Sequence, residues 1–299
     1  MPLRRLASPR REYNRQRGGP SDAVGSAGMM PAFARQREYP MSMRITTANL
    51  NGIRAAARKG FFDWFAREAP DILCVQETKA QAEQLTDAVY FPDGWEVYFA
   101  DAEKKGYSGV ALYTGVTPDA VIRGTGFPEI DQEGRWIEAR FGDLSVVSFY
   151  MPSGTSGDER QGFKEALMEG FLAHLRSLAA SGRSYVIAGD WNLAHTTKDV
   201  RNWRGNQKNS GFLPHERAWL DRLFGEVGFV DGFRRVNEQD GEYTWWSYRG
   251  NAWANNTGWR IDYQVVTPDM AGRIQDASVY REERFSDHAP LTIRYDVTL

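Results

Sequence analysis

The sequence predicts one α/β domain of sandwiched sheets and helices, and three observations predict it. Strand and helix patterns interleave from Arg44 to the C-terminus with no linker after residue 43. The strand patterns are short β-branched and aromatic runs that end on small polar residues. Residues 158–180 carry Phe163, Leu167, Phe171, Leu175 and Leu178 at helical spacing, an amphipathic helix able to cover a sheet. A chain of 299 residues has the length of two average domains, but without a linker one large domain is the simpler reading.

Residues 1–42 read as a disordered, Arg-rich extension, and residues 43–299 as the folded domain. The first 40 residues hold eight arginines against Glu12, Asp22 and Glu38. Asp22, Pro31 and the brevity of the Gly25–Ala34 stretch make a poor signal peptide, and the three acids count against an organellar leader. The favoured expectation is a natural start at Met41 or Met43 and a cytoplasmic protein, with organellar targeting as the alternative.

Within the domain, residues 44–50 alternate as a strand closed by Asn49-Leu-Asn51-Gly52. Phe61, Phe62, Trp64 and Phe65 then form one apolar helical face. Residues 71–77 form a second strand ending in Gln76-Glu77-Thr-Lys79. Residues 109–114, 136–141 and 144–150 continue as strands before the long helix. Pro214 opens a further helix with Leu220, Leu223 and Phe224 on one side. Residues 243–259 crowd six aromatics among Gly, Asn and Arg, an odd composition for core. Strands over 260–267 and 291–297 close the chain, the last preceded by Ser286-Asp287-His288-Ala-Pro290.

The central strand, Tyr185-Val-Ile-Ala, ends at Gly189-Asp190-Trp191-Asn192. Continued extension would project Asp190 and Asn192 to one side and turn Trp191 away, while an Asx-type turn is the plainer fate of such a sequence. Asn49/Asn51, Glu77, Asp190/Asn192 and Asp287/His288 thus stand at four separate strand ends. Their carboxylate and amide oxygens suit a hard cation, Mg²⁺ or Mn²⁺. One cysteine and four histidines give little for a zinc centre. Cys74, inside an apolar run, reads as a buried inert thiol, and no intramolecular disulfide can form. Asp262 and His288 offer an oriented imidazole. No Gly-x-Ser-x-Gly or phosphate-binding Gly/Lys loop is present, so water is the expected nucleophile. The formal net charge of −2, and of −7 after the first 40 residues, demands a local patch or a bridging cation for any polyanion.

Six motifs in register resemble the exonuclease III/AP endonuclease family: Asn49-Leu-Asn51-Gly-Ile-Arg-Ala, Gln76-Glu77-Thr-Lys79, Gly106-Tyr107-Ser-Gly109, Gly189-Asp190-Trp-Asn192-Leu-Ala-His195, Trp259-Arg-Ile-Asp262-Tyr and Ser286-Asp287-His288-Ala-Pro290. The resemblance implies a DNase I-like, four-layered sandwich of two mixed β-sheets flanked by helices, with the site at one sheet edge. It implies Glu77 as principal metal ligand with Asn51 and Asp287 beside it, and one or two ions, Asp190 and Asn192 reaching the second. Asp190 would activate water, held by Asn49 and Asn192. Tyr150 would approach the scissile phosphate, and His288, oriented by Asp262, would stabilise charge on it. Trp245, Trp259 and Ile261 match the pocket for a base-less sugar, and Tyr107, Asn206 and Asn209 match contacts to the DNA backbone. The implied partner is double-stranded DNA with abasic sites or 3′ ends, bound by a monomer away from membranes. Ser153 departs from the asparagine common after Tyr-x-Pro, which bears on the balance between abasic-site incision and 3′-end trimming. Two rivals carry other substrates or none: a phosphoesterase of the wider superfamily acting on RNA, lipid or inositol phosphates, and a silent DNA-end-binding module.

Overall fold

The computed structural model describes residues 42–299. The expected Arg-rich extension therefore lies, but for Ser42, outside the described residues. Twelve strands and seven α-helices follow one another: β1 (Met43–Asn49), α1 (Ile53–Arg58), α2 (Phe61–Glu68), β2 (Ile72–Gln76), β3 (Glu96–Ala100), β4 (Val110–Thr114), β5 (Ala120–Arg123), α3 (Pro128–Asp131), β6 (Trp136–Phe141), β7 (Leu144–Tyr150), α4 (Asp158–Ala179), β8 (Ser184–Asp190), α5 (Trp203–Asn206), α6 (Pro214–Arg222), β9 (Val230–Asp231), β10 (Asp262–Val266), α7 (Pro268–Ala271), β11 (Ile274–Val279) and β12 (Leu291–Tyr295), all among the described residues.

Two six-stranded sheets result, in the orders β11-β12-β1-β2-β4-β3 and β5-β6-β7-β8-β10-β9. Each has one parallel pair at its centre, β1 with β2 and β7 with β8, and antiparallel partners outside it. Period-two alternation sorts the side chains. Ile72 and Cys74, Val110 and Leu112, and Val186 and Ala188 face the space between the sheets, where they pack with Ile45 and Ile293. The opposite faces bury Leu73, Val75 and Tyr113 against α2, and Val147, Ile187 and Val265 against α4 and α6. The result is the expected order of layers: helix, sheet, sheet, helix.

The sequence missed β3, β5, β9 and β11, and their burial explains why. β3, β5 and β11 are half-exposed and carry weak alternation, and β9 is two residues long. The face of α4 also departs from the expected one. Leu167, Phe171 and Leu175 are buried as read, but Phe163 is only half-buried and Lys164 beside it is fully buried. One glycine is required by the sheet itself. A Cβ on Gly189 would lie 1.8 Å from the carbonyl oxygen of Phe149, its partner on β7, so no other residue lets these central strands pair there.

Candidate active site

The pairing directions bring the polar strand ends together. β1 and β2 run parallel, so Asn49 and Gln76 end side by side, and the same holds for Tyr150 and Asp190 on β7 and β8. β10 runs against β8 and places Asp262 opposite Asp190, while β12 runs against β1 and is entered from Asp287 and His288. The site therefore lies where the strands of both sheets terminate, rather than along an edge strand.

Asn49 joins the two sheets. Its Nδ2 donates to Glu77 Oε1 at 2.9 Å and to Asp190 Oδ2 at 2.8 Å, and its Oδ1 accepts from the Asn51 amide at 2.9 Å. The Tyr150 hydroxyl donates to Glu77 Oε1 at 2.8 Å. Asn51 Nδ2 donates to Asp287 Oδ1 at 2.9 Å, and Trp245 Nε1 donates to Asp287 Oδ2 at 3.1 Å. His288 Nδ1 lies 2.9 Å from Asp262 Oδ2, and its Nε2 lies 3.8 Å from Asp190 Oδ2.

Backbone strain is concentrated here. Of eight described non-glycine residues with positive φ, Asn51, Glu77, Lys79 and Asn192 all belong to this cluster. A left-handed residue costs roughly 1–2 kcal/mol, which surrounding bonds must offset. They do so through Gly52 N to Glu77 O (2.8 Å) and Lys79 N to Ser108 O (2.9 Å). Asn192, at φ 48°, decides between the two sequence readings of its stretch. Extension does not continue: its amide donates to Asp190 Oδ1 at 2.9 Å, the Asx-type turn. The turn still gathers the two side chains, since Asn192 Nδ2 lies 3.4 Å from Asp190 Oδ2 and donates to Met151 O at 2.8 Å. Trp191 is turned away and buried, as expected.

Burial and charge set the protonation states. Burial pushes the Asp190 carboxyl well above its ordinary value; the His288 charge opposes this, and the Asp262 and Glu77 carboxylates reinforce it. Burial alone would discharge His288, but Asp262 and then Asp190 raise it well above an ordinary histidine, so it is held as imidazolium. Burial would raise Glu77, yet Lys79 and the Asn49 amide keep it below its usual range. Burial, with Glu77, raises Tyr150 far above an ordinary phenol and keeps its hydroxyl a donor.

The donor set fits a hard cation. Glu77, Asp190 and His288 each offer an atom within 4.8 Å of the others, but an imidazolium has no lone pair to give, so the carboxylates and amides remain. Glu77 Oε2 and Asn51 Oδ1 both turn onto the Lys79 ammonium, at 2.6 and 2.5 Å, so this corner already holds positive charge between oxygens. Both oxygens of Asp287 accept one N–H bond each, which leaves each a second lone pair that a cation could use. Asn192 Nδ2 is engaged, so a ligand role falls to its Oδ1.

The chain has well-matched relatives. The sequence profile of the Endonuclease/Exonuclease/phosphatase family matches residues 46–288. The exodeoxyribonuclease of Bacillus subtilis is 40% identical over 253 residues, covering 84% of this chain and 98% of its own length. The DNA repair nuclease APEX1 of Danio rerio is 39% identical, covering 84% of this chain and 82% of its own. The chain belongs to the exodeoxyribonuclease and AP endonuclease branch of this family. The solved AP endonuclease of Archaeoglobus fulgidus, 29% identical, superposes with a TM-score of 0.78 over 85% of this chain and all of that one.

Around this exodeoxyribonuclease/AP endonuclease-type centre the remaining expected residues divide. Trp245, Trp259 and Ile261 cluster with Val200 and Phe212 beside it, the two indoles edge to face at 6.3 Å, and Trp259 is half-buried. The rest of that aromatic stretch is mostly core after all: Tyr243 and Trp246 are buried with Ala252 and Ala289, whereas Tyr248 is exposed. Tyr107 sits outside the cluster and accepts from Arg160 Nη2 at 2.9 Å. Asn206 and Asn209 bond each other at 2.7 Å and touch none of the carboxylates. Ser153 turns its hydroxyl to Thr155 Oγ1 at 3.0 Å, within its own loop.

Three groups that the sequence did not single out lie against this nuclease-family centre. Lys79 stood inside a quoted motif but was passed over. Arg135, fully buried, lays its guanidinium 4.3 Å from the Tyr150 ring and donates to Tyr150 O at 3.0 Å; an arginine before a strand gave no signal. The buried pair Lys164–Glu216 was legible only as a charge breaking the apolar face of α4.

Proposed function

We propose that the chain is a metal-dependent DNA phosphodiesterase of base-excision repair, Mg²⁺ or Mn²⁺ serving, that cuts at abasic sites and trims 3′ ends as a monomer. One observation carries the reading: the Asn49 amide bridges Glu77 and Asp190, and His288, bonded to Asp262, stands 3.8 Å from Asp190, so a cation-binding carboxylate, a base and a positive charge stand together. Asp190, its orientation fixed by Asn49 and the Asn192 amide, takes the proton of a water that attacks phosphorus in line. Its raised pKa matches that task near neutrality. His288, fixed by Asp262, directs Nε2 at the charge that builds on the phosphate oxygens. Tyr150 fixes Glu77 through its hydroxyl. Glu77 and Asn51, with Asp287 beside them, would hold the metal, and Asp190 and Asn192 would serve a second ion; such a metal would supply Lewis-acid stabilisation of the phosphate and its leaving oxygen.

The substrate class rests on the relatives and on the Trp245–Trp259 wall. The matched proteins are a DNA repair nuclease and an exodeoxyribonuclease, and the half-buried indole next to the carboxylates suits a sugar without a base. Ser153, its hydroxyl turned to Thr155, stands where the family's amide would bind phosphate, and it bears on the balance between abasic-site incision and 3′-end trimming. Nicking of a duplex with one defined abasic site, with and without Mg²⁺ and with Asp190→Asn as control, tests the reading. Metal-dependent nicking abolished by the substitution supports it. Hydrolysis of inositol or lipid phosphates with the abasic duplex left intact would move the chain to another branch of the superfamily, and binding of DNA ends without cleavage would make it a silent module.

A further inference from the structure

We infer that Lys164, acting with Glu216, is a positioning residue for Asp190 and Asn192, coupling the loop that carries Asn206 and Asn209 to the water-activating carboxylate. The inference rests on the nuclease reading above. Both side chains are completely buried, yet they sit between the apolar face of α4 and the start of α6. Lys164 Nζ donates to Glu216 Oε1 at 2.7 Å and to the Asn192 carbonyl at 2.9 Å. Glu216 spends its other oxygen on the loop: Oε2 accepts from Gly211 N at 2.6 Å and Leu213 N at 3.0 Å. Gln161 Nε2 completes the set on Oε1 at 3.2 Å.

An unbroken path therefore runs from the residues just after Asn209, through Glu216 and Lys164, to Asn192, whose amide grips Asp190. Asn192 is the point that needs holding. It is in the left-handed region, its amide, side-chain nitrogen and carbonyl are each bonded to a different element, and Lys164 supplies the bond to the carbonyl. Stability gives little reason for the pair, because apolar side chains of similar volume usually replace a buried ion pair without loss. What apolar side chains cannot do is donate to the Asn192 carbonyl and accept from two loop amides. Small displacements of a catalytic group are expensive in rate, about 100-fold for roughly 1 Å.

The test is the paired variant Lys164→Met/Glu216→Leu, since either change alone strands a buried charge. Its melting temperature, kcat and KM on an abasic duplex, and amide exchange of residues 190–194, are compared with wild type. The expected result is a melting temperature lowered by a few degrees, because two loop amides and the Asn192 carbonyl lose their partners, with kcat per folded molecule lower by about 10 to 100-fold, KM within about threefold, and faster exchange in that segment. Unchanged kcat and exchange would overturn the inference, as would activity that falls only in step with loss of folded protein. If the paired variant does not fold, Lys164→Arg decides: retained stability with a lowered kcat supports positioning, and full activity overturns it. Wild-type protein that cleaves no DNA would fault the nuclease reading instead, and the exchange comparison would still decide whether the clamp holds the Asp190 turn.

Discussion

The Lys79 ammonium lies 2.6 Å from Glu77 Oε2, an oxygen that the metal reading needs for its own cation. The Asn51 carbonyl oxygen turns to the same ammonium. A divalent ion entering this corner must draw both oxygens off the lysine. Lys79→Met should therefore lower the Mg²⁺ concentration for half-maximal nicking, whereas Glu77→Ala should raise it by tenfold or so and recover part of its activity at high Mg²⁺. Mn²⁺ titration by calorimetry checks both directions, and full activity in EDTA would contradict the cation altogether.

The pH dependence follows from Asp190. It works as the anion, and burial raises its pKa, so kcat/KM should climb with pH through a value above the ordinary carboxylate range. The His288 charge opposes that rise. His288→Gln should accordingly shift the acidic limb to higher pH, besides lowering the plateau. A limb that stays put or moves to lower pH would show that the two groups do not titrate together.

Trp259 is half-buried and walls the cluster that adjoins Asp287. Trp259→Ala should cut kcat/KM on abasic duplex by about 10 to 100-fold, matching roughly 1–3 kcal/mol of lost stacking or apolar contact. Its melting temperature should change little. A variant that unfolds readily while its folded fraction cleaves normally would return the indole to the core.

Asp199 ties this wall to the body of the protein. Arg260 Nε and Arg234 Nη2 both donate to its Oδ1, at 2.8 and 2.7 Å. Burial would raise this carboxyl, but the two guanidinium groups hold it far below its ordinary value. A depressed carboxylate contributes stability above its unfolded pKa, about 3.9, and loses it as pH falls through the folded one. Asp199→Asn should thus cost about 1–3 kcal/mol near neutral pH, since Arg260 and Arg234 lose a charged acceptor while Arg260 keeps Asp231. The gap in melting temperature from wild type should narrow below about pH 4. A constant gap across that range would mean that packing, not charge, sets the cost.

Much of the centre was legible in the sequence because polar residues at the ends of apolar runs have few structural reasons to be there. Asn49, Glu77, Asp190 and His288 stood out on that ground, with Asp262 as a partner for His288; Asn49 bonds both other strand-end carboxylates, and His288 bonds Asp262. The half-exposed strands β3, β5 and β11 were not legible, since their alternation is blurred by solvent on one side. Lys164 escaped for the opposite reason. A single lysine on a helix reads as solvated, and only the position of Glu216, some 50 residues away, shows that it is not. Trp246 and Tyr243 belong to a stretch whose composition is odd for core, yet burial assigns them to packing.

The bonds that assemble the centre span long stretches of chain: Asn49 reaches Asp190 across 141 positions, and Asn51 reaches Asp287 across 236. No fragment of the nascent polypeptide contains a working centre. While the ribosome is still adding residues 190–286, the Glu77 corner exists without Asp287, and Asp190 without its imidazolium. Cutting power thus arrives in one step, at the end of synthesis, when the last strand docks beside the first. A chain stalled, truncated or locally unravelled at either end carries no blade, and DNA is spared a half-made nuclease.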